Sequence, residues 1–139
     1  MTGYGRTDED WELLTRVGLE FLKERARLAR LTSYTELNVS LESRTGLARF
    51  DFEQASERAA LGHLLGLMVE EDYPTSGLMI SALVQYLDAN DAGPGFYILA
   101  RQLGLLAPST SKQAQWDFWW QQVKALHQRY QAPSRPTPA

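Results

Sequence analysis

The sequence predicts an α+β domain that is mostly α, with about five helices and one small β element. Three observations predict this class: apolar residues recur every three or four positions along most of the chain, one short segment is dense in leucine, isoleucine and valine, and 44% of the 139 residues are hydrophobic. A chain of this size can bury one core without disulfides. We therefore expect a single domain over residues 8–131, a flexible start over 1–7 and a disordered, proline-rich tail over 132–139.

Composition excludes several classes of function. The chain has no cysteine, which removes disulfide scaffolds, thiolate zinc sites, iron–sulfur clusters and cysteine nucleophiles. The net charge is −3, from 14 basic and 17 acidic residues, so no overall positive field attracts nucleic acid or an anionic membrane. Neither a signal peptide nor an apolar run long enough to cross a bilayer is visible. We expect a cytoplasmic protein with no metal, no cofactor, no catalytic residues and no membrane contact.

Capping signals and apolar periodicity predict the first two helices. Acidic residues at positions 8–10 precede an apolar stripe, and acidic side chains suit the positive end of a helix. This pattern predicts a helix from about Asp8 to Ala29. Ser33 and Glu36 have the spacing of a capping box, which predicts a second, short helix that ends near Ser43.

The middle of the chain predicts a helix, a strand, a turn and a further helix. Leucine and methionine at helical spacing predict the third helix over Glu57–Val69. We interpret Leu78–Leu87 as a strand, with a buried helix as the alternative, and expect its mate near Leu47–Phe52. A turn over Asp88–Gly95 and a helix over Phe96–Leu103 follow.

The last helix is predicted to begin near Ser109 or Ser111 and to continue to about Tyr130. Its apolar face is broad, because Phe118 lies off the face that carries the other aromatic residues. A helix that is apolar on more than one side suits a position between its own domain and a second subunit. The residues predicted for such an interface are Trp116, Phe118, Trp119 and Trp120.

The order of elements over residues 33–104 resembles a winged-helix DNA-binding unit. Three short motifs in this segment resemble the DNA-binding domain of alkylguanine alkyltransferases and their catalytically inactive relatives; they are Tyr34-Thr35-Glu36-Leu37, Ala60-Leu61-Gly62 and Ser81-Ala82-Leu83-Val84. That family reads DNA with a helix-turn-helix and flips a damaged base toward a Pro-Cys-His-Arg motif. The corresponding region here is Leu78-Met79-Ile80-Ser81. Because the cysteine is missing, the resemblance implies DNA binding and not alkyl transfer.

The segment also resembles small bacterial proteins in which a Ser-Ala-Leu-Val strand leads into a Gly-Pro-Gly-Phe turn and a helix. Here these motifs are Ser81–Val84 and Gly93–Phe96. This second resemblance implies no particular activity.

A winged-helix-like centre would make the third helix the recognition helix. Its exposed first turn and two preceding arginines then form the predicted site on double-stranded DNA: Gln54, Ser56 and Arg58 to read bases, and Arg44 and Arg49 to hold phosphates. Three acidic residues, Asp51, Glu53 and Glu57, crowd the same helix start and oppose phosphate binding. The leading hypothesis is nevertheless a non-enzymatic binding module that acts on DNA or in a DNA-associated assembly.

Two further hypotheses stay open at this stage. The first is a protein-interaction or homodimerisation module that uses the aromatic last helix. The second is a small hydrolase or transferase that uses Ser81 with a histidine, although no nucleophile-elbow motif surrounds this serine. Gly62 and Gly66 form a small-xxx-small pair on the third helix, a spacing that lets another helix approach closely.

Overall fold

A computed structural model describes residues 2–86 and 91–131. These residues form five helices and five short strands, and the predicted α+β, mostly α class is confirmed. In chain order the elements are β1 (Thr2–Gly3), β2 (Arg6–Thr7), α1 (Asp8–Arg27), β3 (Thr32–Ser33), α2 (Tyr34–Thr45), α3 (Ala55–Ser76), a 3₁₀ turn (Ile80–Leu83), β4 (Val84–Tyr86), β5 (Asp91–Ala92), α4 (Pro94–Gln102) and α5 (Lys112–Tyr130).

The start of the chain forms a hairpin, where the sequence predicts a flexible segment. β1 and β2 pair as antiparallel strands, and Tyr4 and Gly5 between them both have positive φ, as in a two-residue type I′ turn. The indole Nε1 of Trp11 donates a hydrogen bond of 3.0 Å to the carbonyl oxygen of Gly3. This contact holds the hairpin against α1.

The first two helices begin where the sequence predicts them. Thr7 caps α1 and exchanges capping-box hydrogen bonds with Asp10, and acidic residues fill the first turn. The hydroxyl of Ser33 accepts a hydrogen bond of 3.0 Å from the amide of Glu36, so the predicted cap of α2 is confirmed. α2 ends at Gly46, which has a left-handed φ of 76°.

The third helix is longer than predicted. α3 has 22 residues and continues through Pro74 to end at Gly77, which has a φ of 69°. A proline this close to the end of a helix disrupts only the last turn, so the helix ends at the glycine and not before the proline.

The prediction of a strand over residues 78–87 is wrong for most of that segment. Among the described residues of this segment, Ile80–Leu83 form a buried 3₁₀ turn and Val84–Tyr86 form the strand β4, while Leu87 lies outside the described residues. Side chains of α5 bond the turn's backbone instead of a neighbouring strand: the amide of Met79 donates to Oε1 of Gln122 at 2.8 Å, and the carbonyl oxygen of Ala82 accepts from Nε1 of Trp119 at 2.8 Å. These bonds let a non-extended backbone lie in the core.

The small sheet has the order β3-β4-β5. β4 pairs in parallel with β3, with Thr32 opposite Val84, and antiparallel with β5, with Gln85 opposite Ala92. The mate of β4 is therefore not at Leu47–Phe52 as predicted. That segment is instead fixed by Asn38, whose side chain both donates to and accepts from the backbone of Phe50, at 2.8 and 2.9 Å.

The core lies where α1, α3 and α5 surround the 3₁₀ turn, and Trp119 is fully buried within it. The last two helices match their predicted positions, and Ser111 caps α5 through the amide of Ala114. The predicted tail over 132–139 and part of the predicted turn over 88–95 lie outside the described residues. Within residues 2–86 and 91–131, no helix is long and apolar enough to cross a membrane.

Candidate functional site

The two arginines predicted to hold phosphates are already bound to carboxylates. The Arg44 guanidinium donates to both oxygens of Glu24, at 2.7 and 2.8 Å, and Nε of Arg49 donates to Oε1 of Glu42 at 2.7 Å. The bond from Arg44 holds the pKa of Glu24 below its ordinary value, and the same bond raises the pKa of Arg44. Both pairs lie at the surface. A phosphate would have to compete with a neighbouring carboxylate for the charge of either arginine.

The predicted base-reading residues are exposed at the start of α3 and surrounded by acidic groups. Nη1 of Arg58 donates to the carbonyl oxygen of Phe52 at 2.5 Å, and Nε2 of Gln54 donates to Asp51 at 2.8 Å. The side chain of Ser56 is exposed. The structure therefore brings these three side chains to one helix end, but two of the three are bonded within the chain.

Glu57 at the same helix end pairs with the N-terminal hairpin. The guanidinium of Arg6 donates to both oxygens of Glu57, at 2.8 and 3.1 Å, and stacks over the ring of Phe50 at 3.9 Å. The hydrogen bonds from Arg6 hold the pKa of Glu57 below its ordinary value. This partly buried pair joins the start of α3 to the start of the chain.

The four aromatic residues predicted as a partner interface have four different environments. Trp119 is fully buried within the core. Phe118 packs on Phe96 of α4, with ring centroids 5.8 Å apart. Trp120 is half-buried, and its buried Nε1 has no acceptor among the described residues. Only Trp116 is substantially exposed, at 40%.

A cleft of about 240 Å³ between α3 and α4 has the features of a binding site that the predicted residues lack. We call it the α3–α4 cleft. Its lining is mostly apolar and consists of Tyr34, Gly62, Leu65, Gly66, Ser81, Gly95, Phe96, Ile98, Leu99 and Gln102. At its edge Ile98 is 55% exposed. An apolar recess with a few polar groups is the usual character of a site that captures an apolar group.

Two glycines in the middle of α3 are not required by the packing of the chain itself. A Cβ at Gly62 or Gly66 would meet no atom within 4 Å, whereas a Cβ at Gly18 of α1 would lie 2.8 Å from Sδ of Met68. A glycine inside a helix costs about 0.5–1 kcal/mol relative to alanine. Gly18 offsets this cost by allowing α1 to pack against α3. For Gly62 and Gly66, the open space faces the cleft and the solvent.

Ser81 brings a hydroxyl group to the lining of the cleft. Ser81 is 95% buried, lines the cleft and forms no side-chain hydrogen bond among the described residues. Gly95 lines the same cleft from the first turn of α4, where helix amides lack intrahelical acceptors. An apolar ligand group with a neighbouring polar atom could therefore pack here and bond to Ser81. Among the described residues, no histidine lines the cleft beside this serine.

Sequence reasoning missed the cleft, although its signals were present. Each motif behind the two family resemblances supplies a lining residue: Tyr34, Gly62 and Ser81 come from the first three motifs, and Gly95 with Phe96 from the Gly-Pro-Gly-Phe turn. The paired helical glycines were a further signal. The convergence of these motifs required the tertiary fold, because they are spread over residues 34–96.

A wider groove of about 840 Å³ lies on the other side of α3, between α3 and α1. We call it the α1–α3 groove. Trp11, Leu19 and Leu67 contribute apolar surface to it, and five carboxylates against two basic side chains give its lining a net charge of −3. Those charged residues are Asp8, Glu12, Glu20, Glu70, Glu71, Arg16 and Lys23. The groove and the cleft flank the exposed side of α3.

One buried acidic residue joins the helices beside this groove. Asp72 of α3 is 95% buried, accepts a hydrogen bond from the Tyr130 hydroxyl of α5, and lies 3.8 Å from Nζ of Lys23 on α1. Burial and this bond raise the pKa of Tyr130. Within residues 2–86 and 91–131, no group of three histidine, aspartate or glutamate side chains could hold a metal ion.

No protein-family model matches the chain, and the comparisons with curated proteins and with solved structures also give no match. The function is therefore argued from the site alone.

Proposed function

We propose that the protein is a non-enzymatic protein-binding module, and that its α3–α4 cleft holds an apolar side chain of the partner. One observation carries the proposal: an apolar cleft is lined by Ser81, which is 95% buried as a residue and forms no side-chain hydrogen bond among the described residues, and by two helix glycines with open space beside them. Binding energy in protein interfaces is concentrated where an anchor side chain fills such a recess.

The size of the cleft favours a protein partner over a small-molecule substrate. Pockets for drug-sized ligands have volumes of roughly 300–1,000 Å³, and the cleft, at about 240 Å³, is smaller. The glycines also let a partner backbone approach α3 more closely than any side chain would allow. Exposed Ile98 at the edge adds apolar contact area around the anchor. This proposal retains protein interaction as the function, but it places the binding surface in the cleft and not on α5.

A selection from a random peptide display library tests the proposal. Immobilised wild-type protein should enrich peptides that contain a large apolar residue, after counter-selection on a Gly66→Leu variant whose new side chain fills the cleft. The matched control is Ala114→Leu, which adds the same side chain at an exposed position on α5. Enriched peptides should bind the control like wild type and lose about tenfold or more in affinity for Gly66→Leu, because truncating or blocking an anchor costs more than about 1 kcal/mol.

Two results would overturn this assignment. One is a library in which no sequence is enriched over the uncoated support. The other is a set of peptides that bind wild type and Gly66→Leu equally, since their site would then lie elsewhere. Thermal unfolding of each variant shows that it remains folded.

DNA binding is the second candidate, and one observation favours it. Ser56 and Arg58 are exposed at the start of a 22-residue helix, and the Arg58 guanidinium is bonded to a backbone carbonyl and not to a carboxylate. If this function holds, the protein should bind duplex DNA at about 50 mM salt and release it as salt rises. Absence of binding at that salt concentration would exclude it.

A further inference from the structure

We infer that the partner presents a basic amphipathic helix, which lies along α3 with an apolar anchor in the α3–α4 cleft and lysine or arginine side chains over the α1–α3 groove. This inference deepens the proposed function and rests on it. It adds the charge and the secondary structure of the bound segment.

The carboxylates of the groove are available to a partner. Four of them have no hydrogen bond and no ion pair among the described residues, although Glu20 lies close enough to Arg44 to help raise the pKa of that guanidinium; the four are Glu12, Glu20, Glu70 and Glu71. All four are exposed. By contrast, Lys23, one of the two basic residues of the groove, already lies beside Asp72. A surface with this surplus of unpaired negative charge attracts a positively charged partner and repels an acidic one.

The groove also offers apolar surface for the stems of basic side chains. Leu19 and Leu67 are half-buried on its walls, and Trp11 is buried at one end with its ring 4.9 Å from that of His63. Lysine and arginine cover apolar surface with their methylene stems while the charged end reaches a polar group. Acidic rims over apolar walls therefore complement basic side chains better than they complement a purely apolar segment.

The exposed side of α3 suits a helix as the bound segment. Ala55, Ala59, Gly62 and Gly66 follow one another at steps of three or four residues, so small residues form a ridge between the cleft and the groove. Small residues at this spacing let two helices pack closely. Gly62 and Gly66 line the cleft, whereas His63 and Glu70 line the groove, so both sites lie within reach of one helix across the ridge.

Two matched peptides test the inference. Each has about 18 residues, which is five helical turns; one carries leucine on one face and lysine on the other, and the second carries glutamate in place of lysine. Fluorescence anisotropy at about 50 mM and about 300 mM salt measures the affinity and its screening. The lysine peptide should bind wild type, weaken at the higher salt, and bind a Glu70→Lys/Glu71→Lys variant about tenfold or more weakly. The glutamate peptide should not bind.

Control variants separate the possible outcomes. Glu53→Lys/Asp117→Lys makes the same change in net charge outside the groove, at two exposed positions, and should bind the lysine peptide within about twofold of wild type. An equal loss in both double variants would show non-specific attraction and overturn the inference. If the lysine peptide loses affinity for Gly66→Leu but not for Glu70→Lys/Glu71→Lys, the result would support the proposed function and exclude a basic partner. If the peptide loses affinity only for Glu70→Lys/Glu71→Lys, the result would support binding at the groove and contradict the proposed anchor site in the cleft.

Discussion

Residues 44–58, from the end of α2 to the first turn of α3, and the exposed side of α3 further along use charged residues in opposite ways. Among residues 44–58, Arg44 and Arg49 look available in the sequence but are bound to Glu24 and Glu42, and Arg58 is bound to a backbone carbonyl. On the exposed side of α3, Glu70 and Glu71 have no partner among the described residues, and Ser81 has none in the cleft. The region with the stronger charge signal in the sequence is thus the one whose charges are already paired.

This difference shows that a charged side chain indicates a binding site only when no other group of the chain already binds it. An arginine with a bidentate carboxylate must lose two charge-assisted hydrogen bonds before it can bind a phosphate. A carboxylate or hydroxyl without a partner in the chain has to lose only its bound water before it can contact a binding partner. Substitution of a group that is bonded within the chain should therefore affect stability more than substitution of a group that is not.

The largest effect on stability is expected for Trp119, the fully buried member of the aromatic group on α5. Trp119→Ala should lower the free energy of unfolding by about 3–5 kcal/mol, because it removes a fully buried ring. Trp119→Phe should cost about 1–3 kcal/mol, since it leaves the Ala82 carbonyl oxygen without its donor. Urea unfolding measures both.

Trp116→Ala is the matched control for this prediction. Trp116 is 40% exposed, so its loss should cost less than about 1 kcal/mol. Equal destabilisation by Trp116→Ala and Trp119→Ala would contradict the division of α5 into a core residue and an exposed one.

Glycine substitutions provide the next largest effect and should differ in sign. Gly18→Ala should destabilise the protein by about 1–2 kcal/mol, because the new Cβ would lie 2.8 Å from the sulfur of fully buried Met68. Gly66→Ala should stabilise it by about 0.5–1 kcal/mol, since its Cβ meets open space and alanine favours the helix. Thermal unfolding of both variants measures the difference. If Gly66→Ala destabilises the protein, this glycine is needed by the fold, and its open space no longer favours the cleft as a binding site.

Much of the fold could be predicted from the sequence, and the site could not. Helix starts are local signals, so the predicted cap of α2 at Ser33 is confirmed, and of the two serines predicted to begin α5, Ser109 and Ser111, the second is the cap. The predicted strand over 78–87 is wrong for Ile80–Leu83, because an apolar composition is shared by any buried segment and the backbone here is hydrogen-bonded by Gln122 and Trp119 of α5, about 40 residues later in the chain. Ion pairing is equally non-local: Arg44 and Glu24 are 20 residues apart. No pattern within one segment indicates that such a pair will form.

The pair between Arg6 and Glu57 gives a smaller effect that depends on pH. Glu57→Gln should cost about 1–2 kcal/mol at pH 7, because it breaks a charged bidentate contact between the hairpin and α3. The pKa of Glu57 in the fold is below its ordinary value of 4.5, so the stabilisation is fully present above pH 4.5 and is lost as pH falls through the lower folded pKa. Urea unfolding of wild type and variant at pH 7 and pH 3 checks this. If Glu57→Gln lowers the free energy of unfolding more at pH 3 than at pH 7, the prediction is wrong.

The smallest effect on stability, and the most direct test of the comparison, comes from releasing the paired arginines. Glu24→Gln/Glu42→Gln removes two exposed ion pairs, and such pairs contribute about 0–1 kcal/mol each. The variant should therefore unfold close to wild type, yet it exposes Arg44 and Arg49 with their charge uncompensated. If pairing is what keeps phosphates away, the variant should retain duplex DNA at about 50 mM salt more strongly than wild type, and the gain should disappear as salt rises. A variant with Arg44 and Arg49 also changed to glutamine should lose that gain. Wild-type binding as strong as that of the variant would show that the carboxylates do not block these arginines, and the contrast between the two regions would fail.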